Sequence, residues 1–367
     1  MNFGFTEEQT LLRDQVHRFM QAECNLSTVR SLMDSETRFD TGLWQQTASL
    51  GWLGMIVPEV YGGVGLKWID LCIVLEETAA GLSPLPIASA ALASAAVLRC
   101  GSEQHKRDWL PRMAGGEALC TIALYDEPNW IAPEAVTLQA KAVADGYQLN
   151  GKKPFVNDAR NAQYFLLACH TEQGMALAAL TRDQVTVEAL PILDASKPMA
   201  AVSLHNVTIS KDMLLPLSTE DLGFLTDCGA VAVAAEMIGA AEAALNITNE
   251  YAKERIQFGK PIGQYQGVKH RLADLYVDVE STKSLLYYAA WSVDDAPGEL
   301  PRAISLAKGY SSDAFAKLGI DSVGLHGAIG FTAEYDIQLY LKRSKWARPM
   351  YGDSDYHLER VAALGGL

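Results

Sequence analysis

The spacing of apolar residues along this chain changes twice, and the two changes limit the folds that it can adopt. From the capping-box sequence Thr6 to Gln9 up to residue 117, apolar residues recur at helical intervals. Near Leu119, short apolar or alternating runs begin, and Asp-Gly, Asn-Gly and proline signals separate them. Helical spacing returns near Thr219 and continues to the end. This order of helices, strands and helices predicts an α+β chain with a small, mainly antiparallel β domain in the middle.

The same two changes predict three domains. We expect a helical domain at 1–117, a β domain at 118–217 and a second helical domain at 218–367. A chain of 367 residues with 49% hydrophobic content is long enough to bury cores of this size. No charge-free segment reaches transmembrane length, and the amino terminus has no basic stretch followed by an apolar one. A cytoplasmic protein without a secretory signal is therefore expected.

Charge and cysteine usage narrow the function classes. The formal net charge of −14 opposes binding to nucleic acid, because that affinity depends on lysine and arginine neutralising phosphates. The 6 cysteines are scattered without C-x-x-C spacing, and most have apolar neighbours in the sequence. We interpret them as reduced thiols in the core and predict no metal site.

The segment from Tyr251 to Gln266 joins two helical patterns through a short connector. Pro261, flanked by glycines, is expected to stop the first helix. Arg255 and Phe258 stand three positions apart at the end of that helix and are expected to point the same way. An isolated pair of this kind is usually a surface arginine beside a core phenylalanine. Apolar residues at helical spacing then predict a second helix with one buried face: Val268, Leu272, Leu275, Tyr276 and Val279.

The whole pattern of this segment, Y-x-x-x-R-x-x-F-G-x-P-I-x-x-Y-Q, strongly resembles the flavin-binding segment of the acyl-CoA dehydrogenase superfamily. The glycine-punctuated segment from Leu50 to Gly65 also resembles that family, and the likeness covers nearly the full length. It implies a helical amino-terminal domain, a middle antiparallel β domain and a carboxyl-terminal four-helix bundle. It also implies FAD as the cofactor, with Arg255, Phe258 and Gln266 reaching the FAD of a neighbouring subunit. A guanidinium suits that role because it can fork onto a pyrophosphate.

Two segments of the β domain resemble flavin-contacting motifs of the family. Gly151 to Asp158 is similar to G-x-K-x-W-I-T-N, which implies that Phe155 replaces the ring-covering tryptophan and that Asn157 replaces a flavin-contacting threonine. Glu127 and Pro128 remain from a motif that reads T-E-P-G-x-G-S-D in the family. A plain β-turn around Pro128 is an almost equally weighted reading of that segment.

A glycine-rich motif follows in the carboxyl-terminal region. Gly324 to Gly330 is similar to the family's Q-x-x-G-G-x-G but has lost the glutamine that would bind the dinucleotide. The resemblance implies that Gly327 and Gly330 allow close backbone approach to the cofactor. His326 is interpreted as a structural or dinucleotide-proximal imidazole, because the sequence offers it no partner carboxylate.

The residue that should remove a proton is missing from both positions where the family carries it. In this family a carboxylate in a poorly hydrated pocket takes the α proton of an acyl-CoA, while the β hydrogen leaves as hydride to the flavin. Tyr351 stands where the Y-E-G-T motif has its glutamate, and Gly229 stands at the alternative position. A tyrosine with a pKa near 10 is a poor base. Asp353 lies two residues after Tyr351, and Asp227 lies two residues before Gly229. Either aspartate would act as the base only if the backbone turned its side chain toward the missing position.

A retained flavin segment with lost base positions resembles one branch of the superfamily, the α2β2 heterotetramers of bacterial steroid and bile-acid side-chain degradation. The resemblance implies a flavoprotein subunit that acts on a bulky acyl-CoA, with the base supplied by a homologous partner and electrons passed to an acceptor flavoprotein. Two alternatives remain. One is a self-sufficient homotetramer that uses Asp353 as its base, and the other is a subunit with a structural role only.

Overall fold

The computed structural model describes residues 4–126 and 131–366. The chain forms two compact units. The helical unit consists of Met1–Ser31, Cys72–Ser83 and Ala230–Leu367, and the sheet unit consists of Leu32–Leu71 and Pro84–Gly229. The three-domain division at 1–117, 118–217 and 218–367 stays a prediction.

The α-helices follow the predicted order. Within the described residues they are α1 (Glu7–Glu23), α2 (Leu26–Asp34), α3 (Thr41–Ser49), α4 (Trp68–Ala80), α5 (Ile87–Cys100), α6 (Glu103–Ala114), α7 (Thr219–Glu254), α8 (Gln266–Asp295), α9 (Leu300–His326), α10 (Ile337–Ala347) and α11 (Ser354–Leu364). The predicted capping box at the start of α1 is confirmed, since the Thr6 side chain accepts a hydrogen bond from the backbone of Gln9 and the Gln9 side chain accepts one from the backbone of Thr6. The segment after α3 contains two short 3-10 turns, Trp52–Gly54 and Glu59–Tyr61.

The strands between α6 and α7 build one sheet. They are β1 (Cys120–Ala123), β2 (Gln139–Val143), β3 (Gly146–Asn157), β4 (Tyr164–Thr171), β5 (Gly174–Thr181), β6 (Thr186–Ala189), β7 (Met199–Ile209) and β8 (Leu214–Pro216). The order across the sheet is β6-β7-β3-β2-β4-β5-β8, with β1 beside β4. The sheet is mainly antiparallel, as predicted, but β4 pairs in parallel with both β1 and β2. Parallel neighbours are distant in sequence, which local alternation cannot indicate.

Strand β3 is longer than its apolar pattern predicts and carries an irregularity near its end. Its pairing with β7 shifts register between Lys153 and Val156, around Pro154, which has no backbone donor for a ladder. The irregularity accompanies a sharp difference in burial between neighbouring side chains. Lys153 is fully buried, whereas Phe155 is 50% exposed.

The helical unit contains a buried polar network between α1, α4 and α8. Arg13 donates to Glu76 at 2.9 Å, and the Tyr287 hydroxyl donates to the same carboxylate oxygen at 2.9 Å. Burial raises the pKa of Glu76 to about 7, although Arg13 opposes this. Helix α7 approaches α4 closely beside this network, because a Cβ at Gly239 would lie 1.9 Å from the backbone oxygen of Glu76. A larger residue than glycine has no room there.

Helix α7 is apolar and long enough to span a membrane by length and composition, but 89% of its apolar window is buried inside the protein. Burial in the core accounts for that composition. In the same unit, α9 packs against α8, α10 and α11. The predicted buried face of α8 is correct for Leu275 and Val279 and wrong for Tyr276, which is 58% exposed.

Candidate active site

The connector after α7 is a β-hairpin, which the sequence did not indicate. Strands β9 (Ile256–Gln257) and β10 (Lys260–Pro261) pair antiparallel around a two-residue turn. Phe258 and Gly259 occupy this turn with φ of 52° and 81°, which is the backbone region that two-residue hairpins require. The prediction that Arg255 and Phe258 share one helix face is therefore wrong. Helix α7 ends at Glu254, and the extended strand β9 lies between Arg255 and Phe258.

The hairpin presents its aromatic residue away from the rest of the described chain. Phe258 is 93% exposed, although its left-handed backbone conformation is unfavourable for a bulky side chain. The Tyr265 hydroxyl donates to the backbone oxygen of Gln257 at 2.9 Å, and Ile262 donates to the oxygen of Arg255 at 2.8 Å. These bonds tie the hairpin to the start of α8. The Arg255 side chain is exposed, as is Gln266 at the first position of α8.

The glycine-rich segment begins beside the last turn of α7. The Tyr251 ring stacks on His326 at 4.3 Å, and its hydroxyl donates to the His326 backbone oxygen at 3.3 Å. Gly327 has φ of +65°, and a Cβ built on it meets nothing within 4 Å, so its exposed backbone is free to approach a ligand. Gly330 differs, because a Cβ there would lie 2.6 Å from the oxygen of Val323. The structure thus gives Gly330 a packing reason for being glycine.

His326 is buried within the helical unit. Its Nδ1 donates to the Ser322 oxygen at 2.7 Å, and its Nε2 has no hydrogen-bond partner in the described part of the chain. Burial lowers the pKa of His326, so the ring is neutral at working pH. A neutral ring with an open nitrogen agrees with the structural or cofactor-proximal role that the sequence suggested.

The end of β3 carries the two residues predicted to contact the flavin from the sheet unit. The backbone oxygen of Asn157 accepts a hydrogen bond from Thr121 at 2.7 Å, which fixes the residue. Its side-chain Oδ1 is buried and has no hydrogen-bond partner among the described residues. An orphaned buried acceptor on a fixed backbone suits a ligand that brings a donor. Phe155 offers an exposed ring two residues earlier.

A buried ion pair in the same region was missed by sequence reasoning. The Lys153 ammonium lies 2.6 Å from Asp126, and both side chains are buried. Asp126 also accepts hydrogen bonds from the backbone of Thr137 and Leu138. Burial lowers the pKa of Lys153, and Asp126 opposes this shift. The pair anchors the chain directly before the predicted Glu127–Pro128 motif, which lies outside the described residues.

The turn between α10 and α11 carries the first position expected for the base. Tyr351 is half-buried with φ of 54°, and its backbone oxygen accepts a hydrogen bond from His357 Nε2 at 2.9 Å. Burial lowers the pKa of His357 to about 3, so this ring donates as a neutral group. This bond ties the turn to α11. That the Tyr351 phenol replaces the family's carboxylate stays a prediction.

The carboxylates closest in sequence to the two expected base positions are Asp353 and Asp227, and neither occupies such a position. The Asp353 side chain accepts a hydrogen bond of 3.0 Å from the backbone of Tyr356 and caps the amino terminus of α11. Gly229 is buried within α7, and Asp227 is 2% exposed on the same helix. Successive helical residues are about 100° apart, so Asp227 points to nearly the opposite side of α7 from Gly229. The backbone of α7 therefore does not turn the Asp227 side chain toward the side of Gly229.

Comparison with known proteins agrees with this geometry. Residues 6–117 match the acyl-CoA dehydrogenase N-terminal domain, and residues 226–365 match the acyl-CoA dehydrogenase C-terminal domain. The chain is 30% identical over 363 residues to acyl-CoA dehydrogenase IpdE2 of Mycolicibacterium smegmatis, which covers 98% of this chain and 99% of the relative. The chain belongs to the acyl-CoA dehydrogenase family. It is thus an oxidoreductase of the class that acts on the CH–CH group of an acyl-CoA, and its cofactor is FAD, as predicted.

Two solved structures resemble this acyl-CoA dehydrogenase over almost its whole length. It aligns with a chain of the ChsE4-ChsE5 complex from Mycobacterium tuberculosis with a TM-score of 0.92 and 27% identity, covering 100% and 99% of the two chains. It aligns with the Tcur3481-Tcur3483 steroid ACAD G363A variant with a TM-score of 0.88 and 29% identity, covering 98% of each. The predicted resemblance to the steroid branch is confirmed.

The residues present fit FAD in each unit taken by itself. In the sheet unit, Asn157 Oδ1 can accept a hydrogen bond from the flavin, and Phe155 can cover a ring. In the helical unit, Arg255 offers an exposed guanidinium and Gly327 an open backbone. When bound, FAD supplies the acceptor for the hydride. The individual roles of Arg255, Phe258, Gln266, Gly327, Gly330, Phe155 and Asn157 stay predictions.

Proposed function

We propose that this acyl-CoA dehydrogenase is one subunit of a heteromeric enzyme that desaturates a bulky acyl-CoA between its α and β carbons. The reaction removes the α hydrogen as a proton to a carboxylate and the β hydrogen as hydride to FAD. A homologous partner subunit supplies the carboxylate, and this chain supplies part of a flavin site shared with that partner. The electrons then pass to an acceptor flavoprotein, and the enzyme works in the cytoplasm.

One observation carries this proposal, the tyrosine at position 351. A hydrogen bond from His357 and a left-handed backbone fix residue 351, which the family resemblance places at the base position. The group that it presents has changed from a carboxylate to a phenol, which is too weak an acid for its anion to form near neutral pH. A subunit that keeps this turn but lacks a base needs a base from elsewhere.

The two carboxylates nearest to the expected base positions, Asp353 and Asp227, are not placed to replace the base. Asp353 already accepts a backbone hydrogen bond as the cap of α11, and moving it would expose the amides of the first turn. Asp227 points away from the side on which Gly229 lies. These placements support a partner as the source of the base.

Exposed apolar side chains support a subunit contact around the flavin segment. Phe258 is 93% exposed on the hairpin after α7, and Phe331 is 76% exposed on the segment after α9. The two segments begin at helix ends that touch through the stacked rings of Tyr251 and His326. Large exposed aromatic residues grouped in this way are typical of protein interfaces.

The choice of partner and substrate follows the relatives. One similar structure is a complex of two named proteins, ChsE4 and ChsE5, and another is a steroid acyl-CoA dehydrogenase named for two proteins. Both resemble this chain over at least 98% of its length. These similarities support a second, homologous subunit and a bulky, steroid-derived acyl group as the first substrate class to test.

Co-expression with a homologous subunit tests the proposal. We expect the chain to co-purify with that subunit in equal amounts, with FAD and dehydrogenase activity in the complex. The control is the chain expressed alone, for which we expect little activity. A flavin-loaded homotetramer with full activity would support the alternative in which Asp353 acts as the base. A complex whose activity and flavin content do not depend on this chain would support a structural role.

A further inference from the structure

A buried lysine lies behind the turn that carries residue 351. Lys308 stands in the middle of α9 and is fully buried. Its ammonium donates to the backbone oxygen of Gly352 at 2.8 Å, to the backbone oxygen of Arg348 at 3.0 Å and to the Ser312 hydroxyl at 3.0 Å. An ammonium has three protons, and here each of them has one oxygen acceptor.

Two of these acceptors mark the ends of one turn. Arg348 follows the last residue of α10, and Gly352 precedes the cap of α11. Between them, Tyr351 and Gly352 adopt φ of 54° and 97°. The turn therefore stores an unfavourable backbone conformation that needs surrounding bonds to persist. Lys308 supplies two of these bonds and His357 supplies a third.

We propose that Lys308 is a positioning residue whose buried ammonium clamps both ends of the 348–352 turn, fixes the direction of residue 351, and releases the turn when it loses its proton. The neutral amine has only two protons and a lone pair. Deprotonation thus removes one donated proton and turns the bonds to the two backbone oxygens from charge-assisted into neutral ones, which are roughly half as strong, so the hold on the turn weakens.

The groups that face Lys308 set where this change occurs. Burial lowers the pKa of Lys308 to about 7. Asp353 on the turn and Asp313 on α9 favour the charged form, whereas Arg348 opposes it. His357 on α11 is neutral and adds no charge. The clamp is closed below the pKa of Lys308 and opens above it.

The clamp acts on position 351, so its consequence for catalysis rests on the function proposed above, whereas its effect on the turn does not. Hydrogen exchange of the amides in 349–353, corrected for the intrinsic rate at each pH, measures the turn directly in the full chain. We expect protection in the wild type to fall roughly tenfold as pH rises from about 6 to about 8.5. In Lys308→Met we expect low protection at every pH and no step.

Two further variants serve as a control and as an independent test of the clamp. Lys317→Met is the matched control, because Lys317 lies on the same helix, is 49% exposed and pairs with Asp278 at 2.8 Å. It should leave the step unchanged. Ser312→Ala removes one acceptor, weakens the hold on the charged form and should move the step to lower pH, which is informative even if Lys308→Met does not fold. A wild type without a step, or a step that persists in Lys308→Met, would overturn the clamp. Neither result would touch the proposed function, which is tested with substrate and partner.

Discussion

His357 Nε2 donates a hydrogen bond of 2.9 Å to the backbone oxygen of Tyr351, which ties the 348–352 turn to α11. Tyr351 is the residue predicted to replace the family's base, so this bond fixes the position on which the proposed function depends. Lys308 and His357 donate three hydrogen bonds to backbone oxygens of this turn, so the backbone is supported whatever side chain stands at position 351.

Asp353 is expected to act as a helix cap and not as a base. Asparagine caps helices about as well as aspartate, so Asp353→Asn should leave stability and the activity of the assembled enzyme nearly unchanged at about pH 6, on the side where Lys308 is charged. Asp353→Ala removes the cap and should lower the free energy of unfolding by about 1 kcal/mol. Steady-state kinetics and urea unfolding of both variants check this. A loss of about 100-fold or more in kcat for Asp353→Asn would identify it as the base instead.

Arg255 is expected to hold the cofactor. Its exposed guanidinium follows the last residue of α7, and a backbone hydrogen bond from Ile262 fixes the residue. In the co-expressed complex, Arg255→Ala should reduce the FAD content at least about tenfold. The FAD content of Arg255→Lys should lie between those of Arg255→Ala and the wild type, because lysine keeps the charge but cannot donate the two parallel hydrogen bonds of a guanidinium. The control is Arg302→Ala, an exposed arginine of α9. Unchanged flavin absorbance in Arg255→Ala would mean that the motif no longer binds FAD.

Glu76 is expected to make stability depend on pH. Burial raises its pKa to about 7 from an ordinary value of 4.5, so the folded chain holds a proton that the unfolded chain has lost between these values. The contribution to stability is complete below about pH 4.5 and disappears as pH rises through about 7. Relative to Glu76→Gln, wild type should therefore lose about 2 kcal/mol of unfolding free energy between about pH 5 and pH 8.

Urea unfolding at several pH values measures this difference. Glu103→Gln is the control, because Glu103 forms an exposed pair with Arg107 at 3.0 Å that contributes little. A wild-type advantage that grows as pH rises would show that Arg13 keeps Glu76 ionised and would refute this prediction.

The cysteines are expected to resist modification in the folded protein. All 6 are free thiols. Burial raises the pKa of Cys120 to about 12 and that of Cys169 to about 11, which leaves almost no thiolate at pH 8. Cys100 is partly exposed, yet burial raises its pKa to about 12 as well. Native protein should react slowly with a thiol reagent, and unfolded protein should react quickly at every cysteine. Rapid labelling of the folded chain would contradict this.

Sequence reasoning found the order of helices and strands because periodicity and capping are local. The capping box at Thr6 and the strand pattern between α6 and α7 both depend on residues a few positions apart. The hairpin at Phe258 was not predicted, because two-residue strands are too short to show alternation and a phenylalanine at positive φ is a rare turn residue. The parallel pairing of β4 with β1 was not predicted either, because it joins strands that are distant in the chain.

The candidate site was predicted in part for the same reason. Motif likeness pointed to Phe155, Asn157 and Arg255, but it gave no sign that Lys153 and Lys308 are buried. Lysine is usually exposed, and only distant partners make its burial possible. For Lys153 the partner is Asp126, and for Lys308 the partners are backbone oxygens of a turn that lies about forty residues later. These partners exist only in the folded chain.

The proposed function requires that the proton-abstracting carboxylate lie on a partner and not on this chain. Anaerobic titration with an acyl-CoA, followed by the loss of oxidised flavin absorbance, measures whether this chain can abstract the proton alone. We predict rapid bleaching of the complex, equally rapid bleaching when this chain carries Tyr351→Phe, and bleaching at least about 100-fold slower for this chain alone after loading with FAD. Bleaching of the isolated, FAD-loaded chain at the rate of the complex would contradict the account.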